Sequence, residues 1–447
     1  MNSIEEKVLK KTWPDQAEVK AVQKQFQDIK QFVKEEFGKK AGLMGSTAKR
    51  TFITGDKDLD IFVYFSKDKE EDFLEEKGLE IGKAVFQEFN GDHKVDYAEH
   101  PYTKGRINGF EVEIIPVYEI EEIDELKSSV DRTPFHTEWV NENLSEEEKK
   151  QVVLLKQFLK GTDLYGSSLK TEGFSGLLCE ILIAEYGSFQ NLLKKAKNWS
   201  KNQIIDVEEH HKELPERLKE KFMEDNLIVI DPTDPERNVA SVLSQENYAK
   251  FVYNAWRYLE QPEEEYFFPE EKETDKEAIG EEIESRGELY IVEFDRPDLI
   301  EDIMWPQLRK LMRRARKELR KNEFKLFESD FYVGEETIKL VFDFQVANLP
   351  GKIKHWGPEV FHNEKHLRQF RKKYENVWVE DSRVTTIVER EHTDAKKLLE
   401  EFFQDDMKEK GVPENLVEPL KNRKIKKPEL KGEDWLKYLM DFLEIGD

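Results

Sequence analysis

Apolar residues recur at spacings of three and four over residues 15–37, where Val19, Val22, Phe26, Ile29, Val33 and Phe37 predict an amphipathic helix. The pattern then shortens. Residues 58–65 (DLDIFVYF) and 110–117 (FEVEIIPV) are apolar runs that carry acidic side chains, and they read with 94–97 as strands of a small mixed sheet. A charged stretch at 67–77 leads into a helix near 79–89. Residues 128–139 read as irregular around Pro134. Ser145 followed by Glu148 is a capping-box signature, opening a helix through Val152, Leu155 and Leu159 to about residue 160. Another helix spans about 175–186, and the chain to about 259 reads as mainly helical except for an extended 227–230.

Between 261 and 286, Pro262, Pro269, Gly280 and a dense acidic run mark a domain boundary. Beyond it come a strand (288–295), a long helix (306–321) and two strands (324–332 and 337–345), a βαββ arrangement with an open sheet face. The last hundred residues predict strands near 377–379 and 384–389 and helices near 394–403 and 434–443. No internal repeat stands out.

A chain of 447 residues has room for roughly three domains at ~150 residues each. Its net charge of −25 argues against a nucleic-acid partner when taken alone, but local patches decide binding. The helix after Pro306 places Arg309, Arg313, Arg316 and Arg320 along one side, flanking an apolar stripe of Leu308, Leu311, Met312, Ala315 and Leu319. A second basic run holds Lys421, Arg423, Lys424, Lys426, Lys427 and Lys431. Both could track phosphates, and both could be solvated surface. The single cysteine, Cys179, allows no internal disulfide, and no apolar run approaches membrane-spanning length. The expectation is a soluble cytoplasmic protein with no membrane partner.

The chemistry concentrates in GSTAKRTFITGDKDLDIFVYF (45–65). Residues two apart on a strand share a face, so Asp58 and Asp60 stand together while Leu59 turns to the core. Crowded carboxylates call for a divalent cation. Glu113 adds a third acidic group on a later strand. The Gly45-Ser46 pair can approach phosphate closely. Bland pairings compete: Asp58 capping the preceding turn, Glu113 with Lys104 or Arg106, Arg237 with Asp231 or Asp234.

With these segments in view, the chain resembles the archaeal-type (class I) CCA-adding tRNA nucleotidyltransferases. The matching motifs are the 45–65 segment, GLEIGKAV (78–85), YAEHPY (97–102), VEIIPVY (112–118), SSVDRTPFHTEW (128–139), LLKQFL (154–159), LYG (164–166), GFSGLLCEILI (173–183) and DPTDPERNVA (231–240). The resemblance implies addition of C, C and A to tRNA 3′ ends from CTP and ATP without a template, releasing pyrophosphate. It implies an α+β multidomain fold: a polymerase-beta-like nucleotidyltransferase head with a mixed sheet (1–145), a helical neck (146–260), an acidic linker (261–286), an α+β body with the βαββ sheet (287–375) and an α/β tail (376–447). It carries the metal carboxylates onto Asp58, Asp60 and Glu113, with two Mg²⁺ ions. Phosphate-loop and nucleotide contacts fall on Gly45, Ser46, Lys49, His136, Lys156, Tyr165 and Arg237. Arg309, Arg313, Arg316 and Arg320 are the RNA-binding candidates, for the acceptor end and upper half of tRNA. A homodimer is left open.

Two departures stand out. Lys49 occupies the place of a family arginine, keeping the charge but losing the bidentate fork, with Arg50 beside it as a substitute. The carboxylates run Asp58 first and Glu113 last, where the family commonly has glutamate first and aspartate last. The rivals are another template-independent polymerase, such as a poly(A) polymerase, and a catalytically inactive RNA-binding protein.

Overall fold

The structure, a computed structural model, describes residues 1–97, 100–270, 273–361, 364–404 and 406–445. Ala98 and Glu99 of the YAEHPY motif therefore lie outside the described residues. The chain divides into two compact units, Met1–Glu270 and Glu271–Asp447.

The first unit opens with α1 (Ser3–Thr12), which the sequence pattern did not predict, capped by an Asn2–Glu5 capping box. Helix α2 (Gln16–Phe37) follows the expected periodicity, with Asp15 as N-cap and Gly38 closing it at φ 61°. Then come β1 (Ala41–Met44), the short α3 (Gly45–Lys49), β2 (Asp58–Ser66), α4 (Glu71–Glu88), β3 (Asp92–Tyr97), β4 (Pro101–Ile107) and β5 (Phe110–Glu119). The sheet order is β1-β2-β5-β4-β3, with β2 and β5 parallel and the other neighbours antiparallel. Helix α4 starts eight residues earlier than expected; acidic Glu71 and Asp72 occupy its first turn, where the helix dipole favours them. It lies close on the sheet because Gly78 and Gly82 have no side chains: a Cβ there would stand 2.5 Å from Pro116 and 1.9 Å from Thr103. Strands β2 and β5 run through the core beneath, with Leu59, Ile61, Val63, Val112 and Ile114 fully buried.

Residues 128–139 are not irregular. A 3₁₀ turn (Ser129–Arg132) runs into α5 (Thr133–Asn143), whose first turn contains Pro134, where a missing N–H costs nothing. Next are α6 (Glu146–Gly161), α7 (Gly176–Tyr186), α8 (Phe189–Ala196), β6 (Gln203–Ile205), α9 (Glu216–Lys221), β7 (Leu227–Asp231), β8 (Asp234–Asn238) and α10 (Gln245–Glu260). Helix α6 begins at the Ser145–Glu148 capping box and runs through the centre of a large apolar cluster; Val152 to Leu155, Phe158 and Leu159 have no exposure. Val8 and Leu9 of α1 and Trp139 and Val140 of α5 join this cluster. The region is less purely helical than expected: β6, β7 and β8 form a small sheet, and DPERN is a strand hairpinned onto 227–231.

The second unit contains α11 (Lys276–Arg286), β9 (Glu288–Asp295), α12 (Glu301–Lys321), β10 (Lys325–Val333), β11 (Thr337–Val346), β12 (Lys352–Glu359), α13 (Glu364–Lys373), β13 (Trp378–Glu380), β14 (Arg383–Glu389), α14 (Ala395–Phe402), α15 (Glu414–Lys421), β15 (Lys424–Lys426) and α16 (Glu433–Phe442). The βαββ unit is present, but α12 opens at Glu301 and Pro306 lies inside it. The expected open sheet face is covered. One face packs on α12, α14 and α15; the other buries Leu289, Ile291 and Val341 under Ile279 of α11 and Trp435, Leu436 and Leu439 of α16. Strand β15 pairs with β9, giving the order β10-β11-β9-β15, so a segment from the chain's last 25 residues completes the sheet. A separate three-stranded sheet has the order β12-β14-β13. Among the described residues no helix is long and apolar enough to cross a membrane.

Candidate active site

Sheet register assembles the carboxylates. In the parallel β2–β5 pair, Asp60 stands opposite Glu113 and Asp58 opposite Glu111. Met44 at the end of β1 faces Asp60, which brings Gly45 against its carboxylate. Gly45 has φ 69°, and a Cβ there would sit 1.8 Å from Asp60 Oδ2. The glycine is thus required by the Asp60 side chain itself. Burial pushes the Asp60 carboxyl up to about 6, assisted by the charges of Glu113 and Asp58 and opposed by Lys49 and Lys104. Asp58 is also raised, by burial first and then by Asp56, Glu111 and Glu113, with Lys104 opposing. Lys104, opposite Glu113 on β4, donates to Glu113 Oε1 at 2.6 Å, as the bland sequence reading anticipated. One lysine therefore offsets part of a surplus of hard oxygen donors on two adjacent strands, a donor set that suits a divalent cation. A separate group, Glu71, Glu75 and His100, has ligand atoms within 4.8 Å of one another.

Behind Asp60 lies a buried charge cluster. Lys49 Nζ donates to Glu180 Oε2 at 2.6 Å, and Thr51 Oγ1 donates to Glu180 Oε1 at 2.5 Å. Lys156 Nζ donates to the Thr51 carbonyl at 2.9 Å and Oγ1 at 3.2 Å, and stands 3.5 Å from Glu180 Oε1. Lys156 is no surface residue; it is 2% exposed. A Cβ on Gly176 would be 3.4 Å from both Lys156 Nζ and the Tyr165 hydroxyl, so those two groups converge at the start of α7. Burial pushes the Tyr165 hydroxyl up. Arg50, beside Lys49, points to a different partner in this structure. It takes φ 59° and its Nη1 pairs with Glu146 at 2.8 Å.

A second cluster forms around Asp231 at the end of β7. Its fully buried carboxylate accepts from His136 Nε2 at 2.9 Å, Arg237 Nη1 at 2.7 Å, and the Thr233 N–H and hydroxyl, both at 2.9 Å. Burial raises this carboxyl, but His136, Thr233 and Arg237 together drive it well below the ordinary carboxylate range. Arg237 therefore makes the bland pairing, while its side chain stays 39% exposed and lines an open cavity of about 870 Å³ with Arg132, His211 and Asn238.

In the second unit, all five residues of the apolar stripe on α12 are buried. Arg313 and Arg320 are exposed. Arg309 lies 5.9 Å from the Trp305 ring centroid, and Arg316 is drawn to Ser329 and to Glu328 at 3.6 Å. Four of the five lysines of the second basic run have acidic partners: Lys421 with Glu418, Lys426 with Glu293 and Glu429, Lys427 with Glu288 and Lys431 with Glu429.

Residues 26–139 match the nucleotidyltransferase domain family, 150–268 the second domain of tRNA nucleotidyltransferases, and 286–424 the C-terminal domain of CCA-adding enzymes. The CCA-adding enzyme of Methanothermobacter thermautotrophicus is 38% identical over 365 residues, covering 81% of this chain and 79% of its own. The chain belongs to the CCA-adding enzyme family. A second CCA-adding enzyme, from Methanocaldococcus jannaschii, is 38% identical over 376 residues, 83% of this chain and 82% of that one. A poly(U) polymerase of known structure aligns over 59% of this chain and 94% of its own, at 11% identity and a TM-score of 0.47. Two residues of this CCA-adding family member escaped the sequence reading as functional candidates: Glu180 and Asp231. The signal for Glu180 was present, a lone acid inside the apolar run GLLCEILI, the same feature that singled out Glu113.

Proposed function

We propose that this chain adds and repairs the 3′-terminal CCA of tRNA from CTP and ATP, at one carboxylate site that serves every addition. The single observation that carries the proposal is the register around β2, whose pairing with β5 sets Asp60 beside Glu113 and whose pairing with β1 brings Gly45 against it, in a chain of the CCA-adding enzyme family. Asp58, Asp60 and Glu113 would hold two Mg²⁺ ions. Bound there, such ions lower the pKa of an attacking hydroxyl and neutralise a leaving group.

The chain's own residues do the rest. Ser46, Lys49, Lys156 and the Tyr165 hydroxyl bind the triphosphate, Lys156 and Tyr165 converging beside Gly176. Asp231 orients His136 and Arg237 from a fixed buried point. Arg237 presents guanidinium donors, suited to the acceptor edges of cytosine and adenine, to the adjoining cavity. Exposed Arg313 and Arg320 bind phosphates of the tRNA acceptor end and upper half. The work is done in the cytoplasm. The test is incorporation on tRNA lacking its 3′ end, with each nucleotide singly and together, by the wild type and by Asp60→Ala. Loss of both C and A addition with tRNA binding intact is expected; A addition surviving at a near-normal rate would refute the shared site.

A further inference from the structure

Glu180 sits at a position where a hydrophobic residue would be expected. Its neighbours on α7, Leu178, Cys179, Ile181, Leu182 and Ile183, are all buried, and the carboxylate itself has no exposure. Burying an ion pair is weak support for a fold, because well-packed apolar residues do as well or better. The two oxygens of Glu180 are divided between two lysines from different elements, Lys49 at the end of α3 and Lys156 in the middle of α6. Thr51 links the two halves, donating to Glu180 and accepting from Lys156. Burial pushes the Glu180 carboxyl up, and the two ammonium groups, with the hydrogen bonds from Lys49 and Thr51, more than reverse that, so it stays ionised. One carboxylate against two ammonium groups leaves a surplus positive charge, and Lys49 also acts on Asp60.

We propose that Glu180 is a positioning residue of the nucleotide site: it holds Lys49 and Lys156 in place as a charged pair so that their surplus charge meets the triphosphate. The inference rests on the assignment of those two lysines to the triphosphate. Lys156 directs two of its three donors at Thr51 and stands 3.5 Å from Glu180 Oε1, so its charge is only partly compensated where it comes beside Gly176 and Tyr165. Without Glu180, two ammonium groups would share a desolvated site without a counter-ion, and their mutual repulsion would move them from the positions they hold here. The other ionisable groups acting on this cluster are Asp60, Lys149, Tyr165 and Cys179. None of them supplies a second buried anion in contact with both lysines.

The experiment compares wild type, Glu180→Gln, Glu180→Asp and Lys156→Ala by thermal melting and by steady-state kinetics for ATP, CTP and tRNA between pH 6 and 8.5. Glu180→Gln should raise KM for both nucleotides roughly tenfold at pH 8, the scale of one lost charge-assisted contact. KM for tRNA should stay unchanged, and the nucleotide deficit should persist across the pH range. Glu180→Asp keeps the charge one methylene further back, so it should give an intermediate KM and no new pH dependence. A merely structural role would lower the melting temperature without splitting nucleotide KM from tRNA KM. A folded Glu180→Gln with wild-type nucleotide KM at every pH overturns the inference, as does a folded Glu180→Asp with wild-type KM should the Gln variant not fold. If Lys156→Ala alone leaves nucleotide KM unchanged, the triphosphate assignment fails and the inference falls with it. If Lys156→Ala raises KM and Glu180→Gln does not, only the role of Glu180 is refuted.

Discussion

Replacing Gly45 with alanine tests whether the position of Asp60 is set by the backbone beside it. The new Cβ would stand 1.8 Å from Asp60 Oδ2, where contacts under 3.0 Å essentially never occur, so the carboxylate must retreat by about 1.2 Å. A misplacement of ~1 Å in a reacting site costs on the order of 10²-fold in rate. The substitution also places a side chain at φ 69°, a left-handed strain of ~1–2 kcal/mol. Gly38 separates the two effects: it has φ 61° and nothing within 4 Å of its Cβ position. Gly38→Ala should therefore lose similar stability and keep its rate, while Gly45→Ala loses about two orders of magnitude in kcat for C and A addition alike. Thermal melts and single-turnover incorporation on tRNA lacking its 3′ end read both quantities. Equal rates for the two variants would refute the claim that Gly45 seats the Asp60 carboxylate.

Asp231→Asn should cost roughly 1–3 kcal/mol, because His136, Thr233 and Arg237 lose the charged acceptor of their hydrogen bonds. It should also reduce discrimination between CTP and UTP; an unchanged ratio would remove this cluster from base selection. The Asp231 carboxyl is depressed in the folded protein, so its stabilisation is present above the unfolded value of ~3.9 and is lost as pH falls toward the folded one. Acid titration of stability should accordingly be flatter below about pH 5 in the Asn variant, and parallel curves would contradict the assignment. Lys104→Met removes the partner of Glu113 and should lower the Mg²⁺ concentration for half-maximal activity; a rise would show that Lys104 helps to build the cation site. Neutralising the exposed pair Arg313 and Arg320 should reduce the slope of log K against log salt for tRNA by up to ~0.7–0.9 per lost phosphate contact, and superimposable curves would mark that face as merely solvated.

The carboxylate strands were legible because alternation is local: Asp58 and Asp60 share a face whatever the rest of the chain does. The Ser145 cap and the βαββ core were legible for the same reason. What escaped depends on contacts between distant residues. His136 and Asp231 meet across 95 positions, and Lys49 and Glu180 across 131. The second face of the body sheet is closed by α16, some 150 residues downstream of β9, which no local pattern announces. Strand β4 was missed because its polar TKGR stretch turns few apolar side chains inward, Thr103 and Ile107 among its buried residues. Helix α12 was started too late because Pro306 resembles a first-turn proline, whereas the acidic Glu301–Asp302 turn actually opens it.

The claim that one carboxylate site builds the whole CCA end is tested most directly by sequencing the products made on tRNA that lacks it. The protein would be given Mg²⁺ with CTP alone, ATP alone or both, in the wild type and in Asp60→Asn. CTP alone should add two residues and stop, both nucleotides should yield C, C and A in that order, and Asp60→Asn should add neither. A run of adenosines from ATP alone, or C or A addition that survives in Asp60→Asn, would contradict the account.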